Sequence, residues 1–252
     1  MNSLFVVLPA YNEEYNIVKV IEDWRSQNKT FLKENLLLKI VVVDDFSTDN
    51  TFKKINTFYS NKNSIHIIKH SRNKGLGGAI KSGIEFALSE ANENDLLFIM
   101  DSDFTHKAKF SINMLNHMNN TSSDVVIASR FQNGSKVLGV PKHRLMLSYF
   151  AKKYYSLILN VPNVRDYTCG YRLYNINALK NVKSVYKDSY ISEMGFTCMV
   201  ELLYKLHRTG SSFSEVPFSL HYDEKEGESK MKILKTSFNS LRIPFYIKSI
   251  TQ

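Results

Sequence analysis

The residues best suited to chemistry in this sequence are Asp101 and Asp103, which directly follow the apolar run 96–100. A buried strand that ends in two carboxylates one residue apart places both at the carboxyl edge of its sheet, where open α/β sheets bind ligands. Two carboxylates with few other ligands suit a hard divalent cation that also contacts the phosphates of a substrate. A surface loop in which Asp103 caps the next helix is the alternative interpretation.

Other polar clusters also follow predicted strands. They are the run 11–14 (YNEE), the pair Asp44-Asp45, and the glycine loop 75–78 (GLGG). Because the carboxyl ends of parallel strands share one edge, we expect these clusters to meet in one pocket. Carboxylates there can hydrogen-bond ribose hydroxyls or a base edge, and glycines allow a ligand to approach the backbone closely. The loop matches neither a Walker A sequence nor a dinucleotide fingerprint, so a plain tight turn is an alternative.

Alternating strands and helices must position these clusters. Strands are predicted at 4–8, 36–43, 65–68, 96–100 and 125–128, and helices with apolar residues at helical spacing follow the first three. Helices at 145–159 and 196–206 and a strand at 213–220 are predicted in the second half. Tyr154, Tyr155 and the neighbouring aromatic residues are interpreted as a core stripe, and a lipid groove is the alternative. This order predicts an α/β fold with a mostly parallel, doubly wound sheet flanked by helices.

The amino-acid composition is typical of a single globular domain without disulfide bonds. The 252 residues are 43% hydrophobic, which is enough for one substantial α/β domain. Two cysteines make no disulfide framework, which is typical of a reducing cytoplasm. The N-terminus lacks the features of a signal peptide, and no apolar run approaches the roughly 18 residues that span a bilayer.

The net charge of +9 is concentrated in two segments. Residues 125–165 contain seven basic residues and residues 229–252 contain five, and neither segment has an acidic residue. This distribution indicates an anionic partner on one part of the surface, and nucleic acid, an anionic membrane and a phosphorylated lipid all fit. A solvated basic face is the alternative.

The ordered set of motifs resembles family 2 glycosyltransferases of GT-A fold. The matching runs are 6–14 (VVLPAYNEE), 41–49 (VVVDDFSTD), 73–79 (NKGLGGA), 101–103 (DSD), 129–131 (SRF) and 166–172 (DYTCGYR). The runs 215–218 (EVPF) and 227–231 (GESKM) are similar to the dolichol-phosphate mannose synthase branch. The resemblance extends from about residue 4 to residue 231. Thr105 and Glu224 depart from the branch, which usually has Gln and Arg there.

The resemblance implies roles for the matching residues. The donor-binding set would be Pro9, Tyr11, Glu13, Asp44, Asp45, Lys74, Gly75, Asp101 and Ser102. Asp101 and Asp103 would hold Mg²⁺ or Mn²⁺ on the diphosphate. The acceptor or phosphate set would be Arg130, Arg172, Lys225, Ser229 and Lys230. Asp103, Arg130 and Asp166 would form the catalytic set. For Arg172, a local ion pair is the alternative to a role in binding the acceptor.

These roles predict an inverting glycosyltransferase that moves a mannose- or glucose-type sugar from a GDP- or UDP-linked donor to a polyprenyl phosphate. A phosphate monoester is largely a dianion at neutral pH, so it needs positioning by cations rather than a general base. The first alternative is a sugar hydroxyl as acceptor, for which Asp166 would be the base. The second alternative, a nucleic-acid-binding module, does not explain the acidic strand ends, so no nucleic acid partner is expected.

The chain is predicted to divide into a catalytic domain, 1–228, and a basic amphipathic helix, 229–252. Within the catalytic domain, 1–124 would hold the nucleotide sugar and 125–228 the acceptor. An apolar stripe runs along the C-terminal segment through Met231, Leu234, Phe238, Leu241 and Phe245. Pro244 is expected to kink the helix or to end it near Ile243. The segment suits a cytoplasmic protein bound peripherally at the inner membrane face, and docking on the catalytic domain is the alternative.

Overall fold

The computed structural model describes residues 1–60, 62–224, 226 and 233–251, and for residues 233–237 it describes the backbone alone. The strands are β1 (Asn2–Ala10), β2 (Leu36–Asp44), β3 (Ile65–Lys69), β4 (Leu96–Ile99), β5 (Val125–Ser129), β6 (Lys136–Leu138), β7 (Arg172–Asn175), β8 (Phe213–Pro217) and β9 (Ser219–His221). The helices are α1 (Ile17–Ser26), α2 (Asn28–Lys33), α3 (Thr51–Tyr59), α4 (Gly75–Glu90), α5 (Phe110–Thr121), α6 (Lys142–Leu159), α7 (Ile176–Tyr186), α8 (Cys198–Arg208) and α9 (Ile233–Ile250).

A seven-stranded sheet with the order β3-β2-β1-β4-β7-β5-β8 forms the centre of the molecule. Strand β7 is antiparallel to β4 and β5, and the other pairs are parallel. Strand β1 is buried along its whole length after Asn2, as expected for a strand with helices on both faces of the sheet. The predicted mostly parallel, doubly wound sheet is therefore confirmed.

Strand β7 is the main feature that the sequence pattern did not predict. It comes from the second half of the chain, yet it lies between β4 and β5, with Arg172 opposite Ile99. Four residues that include a charged side chain do not give a period-two apolar signal. The insertion means that the proposed donor and acceptor halves share one sheet.

The predicted strand 213–220 is two strands in two different sheets. Strand β8 pairs with β5 in the large sheet, whereas β9 pairs with β6 in a separate two-stranded sheet. Phe218 lies between the two strands and is buried, and its carbonyl oxygen accepts a hydrogen bond from the backbone N–H of Lys136 at 3.1 Å. Pro217 has no N–H with which to continue the first ladder, so the chain changes sheets there.

An aromatic cluster packs beneath the carboxyl edge of β4. Trp24 and Phe98 are fully buried, with ring centroids 5.1 Å apart, and Tyr171 lies 6.3 Å from Trp24. Burial of each such ring stabilises the fold by about 1.5–3 kcal/mol. The ring of His106 packs against this cluster, with its centroid 5.6 Å from that of Tyr171, so the loop after β4 is anchored on buried aromatic side chains.

The C-terminal helix α9 is continuous through Pro244 as far as Ile250, so Pro244 does not end it near Ile243, which was one of the two expected outcomes. One face docks on the molecule, because Ile243 and Ile247 are fully buried. On the other face, Phe238 is 70% exposed and Phe245 is 63% exposed. Met231 lies outside the described residues, and the side chain of Leu234 is not described.

Helix α6 packs beside α9, and the hydroxyl of Tyr154 donates to the carbonyl oxygen of Leu241 at 2.6 Å. Tyr155 is buried, as predicted for a core stripe. For two neighbouring aromatic residues the prediction is wrong, because Tyr149 is 48% exposed and Phe150 is 60% exposed. The helix exposes these two rings within a larger set of apolar side chains. They are Leu145, Met146, Leu147, Tyr149, Phe150 and Leu157. In the described ranges, no helix has both the length and the hydropathy needed to cross a membrane.

Candidate active site

Asp101 and Asp103 lie in the loop that follows β4, at the carboxyl edge of the sheet. Asp103 Oδ1 accepts hydrogen bonds from the backbone N–H and the hydroxyl of Thr105, at 3.2 and 2.7 Å. The side chain of Asp101 is 37% exposed, and its Oδ2 lies 3.8 Å from His106 Nδ1. The turn orients both carboxylates at a solvent-accessible position, and Ser102 between them is buried.

The two carboxylates suit a divalent cation that takes its other ligands from substrate and water. No group of three or more His, Cys, Asp or Glu side chains with metal-binding geometry occurs in the described part of the chain. Mg²⁺ is commonly bound through only one or two carboxylates together with waters and substrate phosphates. The donor set therefore fits a cation shared with a diphosphate, and it does not fit an all-protein metal cage.

Gly170 brings the motif at 166–172 against the Asp101 carboxylate. A Cβ atom at this glycine would lie 3.0 Å from Asp101 Oδ1, closer than nearly all real Cβ contacts. A side chain here would therefore push the carboxylate aside. Two motifs almost 70 residues apart in the sequence meet at this contact, because the motif 166–172 leads into β7, the antiparallel neighbour of β4.

Arg130 and Asp166 form a bidentate ion pair beside this contact. The Asp166 carboxylate is fully buried, and it accepts from Arg130 Nε at 2.8 Å, Nη2 at 2.6 Å and the Arg130 backbone N–H at 3.0 Å. It also accepts from the backbone N–H of Cys169 at 3.0 Å. Arg130 keeps 21% of its side chain exposed, and the nearby charge of Asp101 favours its protonated form.

The pair is ionised on both sides. Burial raises the pKa of Asp166, but Arg130 beside it lowers that pKa by a larger amount, so the pKa of Asp166 lies below its ordinary value. Burial lowers the pKa of Arg130, and the adjacent Asp166 more than offsets this, so the net shift is upward. A carboxylate with a lowered pKa and this many donors is a poor proton acceptor. The geometry suits Asp166 to positioning Arg130, and it argues against the general base that the hydroxyl-acceptor alternative requires.

Asp45 is held at the end of β2 by two hydrogen-bond partners. Its Oδ1 accepts from the Lys74 backbone N–H and faces His70 Nδ1, both at 2.7 Å. His70 Nε2 lies 2.9 Å from the Ser82 hydroxyl. The side chains of Asp45, His70 and Ser82 therefore form one connected polar chain. His70 was not singled out from the sequence, although it follows β3 as the other polar residues follow their strands.

Asp44 is the least satisfied carboxylate of this edge. The residue is fully buried, and neither side-chain oxygen has a hydrogen-bond donor at ordinary geometry among the described residues. Burial raises the pKa of Asp44, and the nearby Ser47 and Lys69 offset part of the rise. An unsatisfied buried carboxylate costs free energy of folding, so its place at the sheet edge is consistent with a ligand-binding role.

The motif 11–14 is tied to the loop after β2. Asn12 N–H donates to the Ser47 hydroxyl at 3.0 Å, and Glu13 N–H donates to the Thr51 hydroxyl at 2.7 Å. Pro9 lies buried in β1 opposite Val43. Tyr11 is 38% exposed and Glu13 is buried. The structure therefore brings Pro9, Tyr11, Glu13, Asp44 and Asp45 to neighbouring strand ends, as predicted.

The glycine loop packs against another segment of the same chain. A Cβ atom at Gly75, whose φ is +75°, would lie 2.4 Å from the carbonyl oxygen of Met194, and one at Gly77 would lie 1.9 Å from that of Glu193. The Gly77 N–H donates to the Met194 carbonyl oxygen at 3.0 Å. The missing side chains of these glycines allow the backbone of residues 193–194 to pack closely against the loop. The space beside Gly75 and Gly77 is therefore filled by the protein itself. The side chain of Lys74 remains exposed at the start of α4.

Arg172 is not an acceptor-binding residue, which corrects the prediction. It is fully buried, and its guanidinium donates to the backbone carbonyl oxygens of Cys169, Met199 and Tyr167 at 2.7–2.9 Å. Strand β7 fixes it inside the sheet, so it braces the chain beneath the site.

The remaining acceptor candidates have no described position. Lys225, Ser229 and Lys230 lie outside the described residues. Glu224, which departs from the mannose synthase pattern, faces Lys107 Nζ at 2.6 Å and His221 Nδ1 at 3.1 Å. Lys107 is therefore a cation close to the metal motif that sequence reasoning missed, since it lies in an irregular loop without a motif of its own.

Sequence comparison identifies relatives along most of the chain. The sequence model of Glycosyl transferase family 2 matches residues 5–183. An undecaprenyl-phosphate mannosyltransferase of Micrococcus luteus is 29% identical over 90% of this chain and 87% of its own length. A dolichol-phosphate mannosyltransferase of Pyrococcus furiosus is 31% identical over 94% of this chain and 61% of its own length.

Solved structures share the fold at lower identity. Glucosyl-3-phosphoglycerate synthase from Mycobacterium tuberculosis, in complex with Mn²⁺, UDP and phosphoglyceric acid, has a TM-score of 0.65 and 16% identity, over 99% of this chain and 78% of that one. S. aureus TarS with UDP-GlcNAc has a TM-score of 0.58 and 20% identity, over 98% of this chain and 66% of that one. The fold is GT-A, and the chain belongs to glycosyl transferase family 2.

Proposed function

We propose that this protein transfers a sugar from a nucleoside diphosphate donor to a polyprenyl phosphate, with inversion at the anomeric carbon. The observation that carries the proposal is the close approach of Asp101 to Gly170 in the motif 166–172, whose Asp166 binds Arg130. The charge of Asp101 also acts on the Arg130 guanidinium, so the carboxylates after β4 and this cation belong to one site. Relatives about 30% identical over most of the chain are named as polyprenyl-phosphate mannosyltransferases, which supports the same acceptor class here.

The donor would lie along the sheet edge. Asp45, Glu13 and Tyr11 would contact the nucleoside, and Asp101 and Asp103 would hold Mg²⁺ or Mn²⁺ next to the diphosphate. When bound, this cation would neutralise the charge that develops on the departing nucleotide. Solved relatives of this fold contain Mn²⁺ and UDP, which supports a divalent cation for this chain.

The acceptor phosphate would face Arg130. An oxygen of that phosphate forms the new bond to the anomeric carbon while the bond from that carbon to the β-phosphate oxygen breaks, and the electron pair leaves with the nucleoside diphosphate. A phosphate dianion needs no proton acceptor, so base catalysis is not required of Asp166. Its bidentate ion pair with Arg130 would instead position the guanidinium toward the acceptor phosphate. A hydroxyl acceptor would need a base, and Asp166 is poorly suited to that role.

A polyprenyl phosphate is embedded in a membrane, so the enzyme would act at a membrane surface. Helices α6 and α9 lie side by side and together expose many of the large apolar side chains of the molecule, including Phe150, Leu157 and Phe238. Neither helix contains an acidic residue. Apolar side chains with basic neighbours suit an anionic bilayer surface.

Radiolabelled transfer tests the proposal. Purified protein with Mn²⁺ is screened by thermal shift against GDP- and UDP-linked sugars, and the stabilising donors are then assayed with a polyprenyl phosphate or a free oligosaccharide as acceptor. We expect label in the lipid fraction only when the polyprenyl phosphate is present. Transfer to the oligosaccharide hydroxyl alone would overturn the assignment, and Asp103→Asn serves as the inactive control.

A further inference from the structure

A fully buried ion pair lies in α8, outside the site described above. Glu201 and Lys205 are both 0% exposed, one helical turn apart, with Oε1 and Nζ 2.6 Å from each other. Burying two charges costs several kcal/mol per ion, and a well-packed apolar pair of similar volume is often as stable or more stable. Stability alone therefore gives a weak reason for this pair.

Both members of the pair bind the segment 189–193. Glu201 Oε2 accepts from the backbone N–H groups of Ser192 and Glu193, at 2.9 and 2.8 Å. Glu201 Oε1 also accepts from the Ser192 hydroxyl. Lys205 Nζ donates to the carbonyl oxygen of Ser189. The two charges thus fix the backbone of one irregular segment at both of its ends.

The same segment supports the glycine loop. Met194, the next residue along the chain, accepts the Gly77 N–H at 3.0 Å, and the contacts at Gly75 and Gly77 leave no room for a Cβ atom. At its other end the glycine loop is fixed by Asp45, which accepts the Lys74 N–H at 2.7 Å. The start of α4 is therefore held between Asp45 and the segment that the buried pair fixes.

We infer that Glu201 and Lys205 are positioning residues for the nucleotide-sugar donor: they fix the segment 189–194, which in turn sets the glycine loop and Asp45. This inference rests on the proposed function, because it takes the sheet edge at Asp45 as the donor site. A misplacement of about 1 Å far from the chemistry can cost on the order of a hundredfold in rate.

The test replaces the pair by apolar residues of similar length, in the double variant Glu201→Met/Lys205→Met. Removing both charges avoids leaving one buried without a partner. The segment 189–193 loses its side-chain partners, so we expect a lower Tm. We also expect a rise of about tenfold or more in the Kd of UDP or GDP with Mn²⁺, and faster hydrogen exchange at the Gly77 amide. Unchanged nucleotide binding and unchanged exchange at Gly77 would overturn the inference.

Leu203→Ala is the matched control, since Leu203 is fully buried on the same helix. It should lower Tm while the Gly77 amide stays protected, and loss of nucleotide binding in proportion to Tm in both variants would show that the pair is only structural. Ser192→Ala removes one contact to Glu201 without changing α8, so it decides the question if the double variant does not fold. We expect a smaller rise in the same Kd, and no rise would contradict the inference.

Failure of the proposed function gives a different result. Wild-type protein that bound neither UDP nor GDP with Mn²⁺ would contradict the donor site itself and, with it, the positioning role. Wild-type protein that bound a nucleotide but transferred no sugar to polyprenyl phosphate would contradict the acceptor assignment alone. In the second case, the Kd and the Gly77 exchange of the double variant still decide the inference.

Discussion

Two groups of carboxylates at the same sheet edge have opposite environments. Asp101 and Asp103 lie on a short turn and are accessible to solvent, with Asp101 37% exposed. Asp166 is fully buried, and its oxygens accept from three groups of Arg130 and from the loop that follows. An accessible pair can bind a cation, whereas a saturated carboxylate can only orient the residue that it binds. Residue type alone does not distinguish these two roles. The number of hydrogen-bond donors around each carboxylate does.

The largest expected effect is that of Asp103→Asn. It removes a charge from the accessible pair without emptying a core position, so transfer should fall by on the order of 10²–10³-fold with little change in Tm. Initial rates with increasing Mn²⁺ measure the loss, and Asp101→Asn provides the comparison. Near-normal turnover of either variant in the presence of EDTA would contradict the metal assignment.

Asp166→Asn tests the saturated carboxylate. If Asp166 positions Arg130, transfer should fall by about ten- to a hundredfold at every pH, because the guanidinium loses its bidentate partner. The measurement is the pH–rate profile of wild type and variant. A wild-type profile controlled by one carboxylate and abolished by the substitution would instead support base catalysis and a hydroxyl acceptor.

The same variant has a predicted pH dependence of stability. Because Arg130 holds the pKa of Asp166 below its unfolded value of about 3.8, the charged form stabilises the fold at all pH values above 3.8. This contribution is lost as pH falls through the folded pKa. Asp166→Asn should therefore lower the free energy of unfolding by about 3–5 kcal/mol at pH 7, and by less in acid. Urea unfolding at several pH values measures the difference.

The helices α6 and α9, which we propose face the membrane, should show a smaller effect. Phe238→Ser with Phe245→Ser removes two exposed rings from α9, so binding to anionic liposomes should weaken by about tenfold while Tm changes little. High salt should also weaken the binding. Phe58→Ser is the matched control, because Phe58 is 58% exposed on α3. Equal loss in the control, or a large drop in Tm, would contradict the membrane assignment.

The smallest effect is predicted for Asp44→Asn. Burial raises the pKa of Asp44, so its charged form destabilises the fold above pH 3.8, and the substitution should raise the free energy of unfolding at pH 7 by about 1 kcal/mol or less. The gain should disappear in acid, where Asp44 is protonated. Nucleotide binding should weaken at the same time. If the variant is less stable than the wild type at pH 7, the Asp44 carboxylate has stabilising hydrogen-bond donors within the protein, and this prediction is wrong.

The sequence predicted much of this edge because its signals are local. An apolar strand that ends in Asp44-Asp45 or in Asp101 indicates both the strand and the position of its carboxylates, and parallel strands bring these ends together. The signals failed where partners are distant in the chain. Arg172 carries the same charge as Arg130, yet one is enclosed by backbone carbonyls and the other faces the site.

What the sequence determined by itself is the alternation of strand and helix, the family, and the set of polar residues at the strand ends. What only the tertiary structure decided is which of those residues face a ligand. Strand β7 enters the sheet between β4 and β5, and Met194 occupies the space left by the glycines. Both facts depend on contacts between segments far apart in the chain, and such contacts leave no periodicity that a sequence pattern can record.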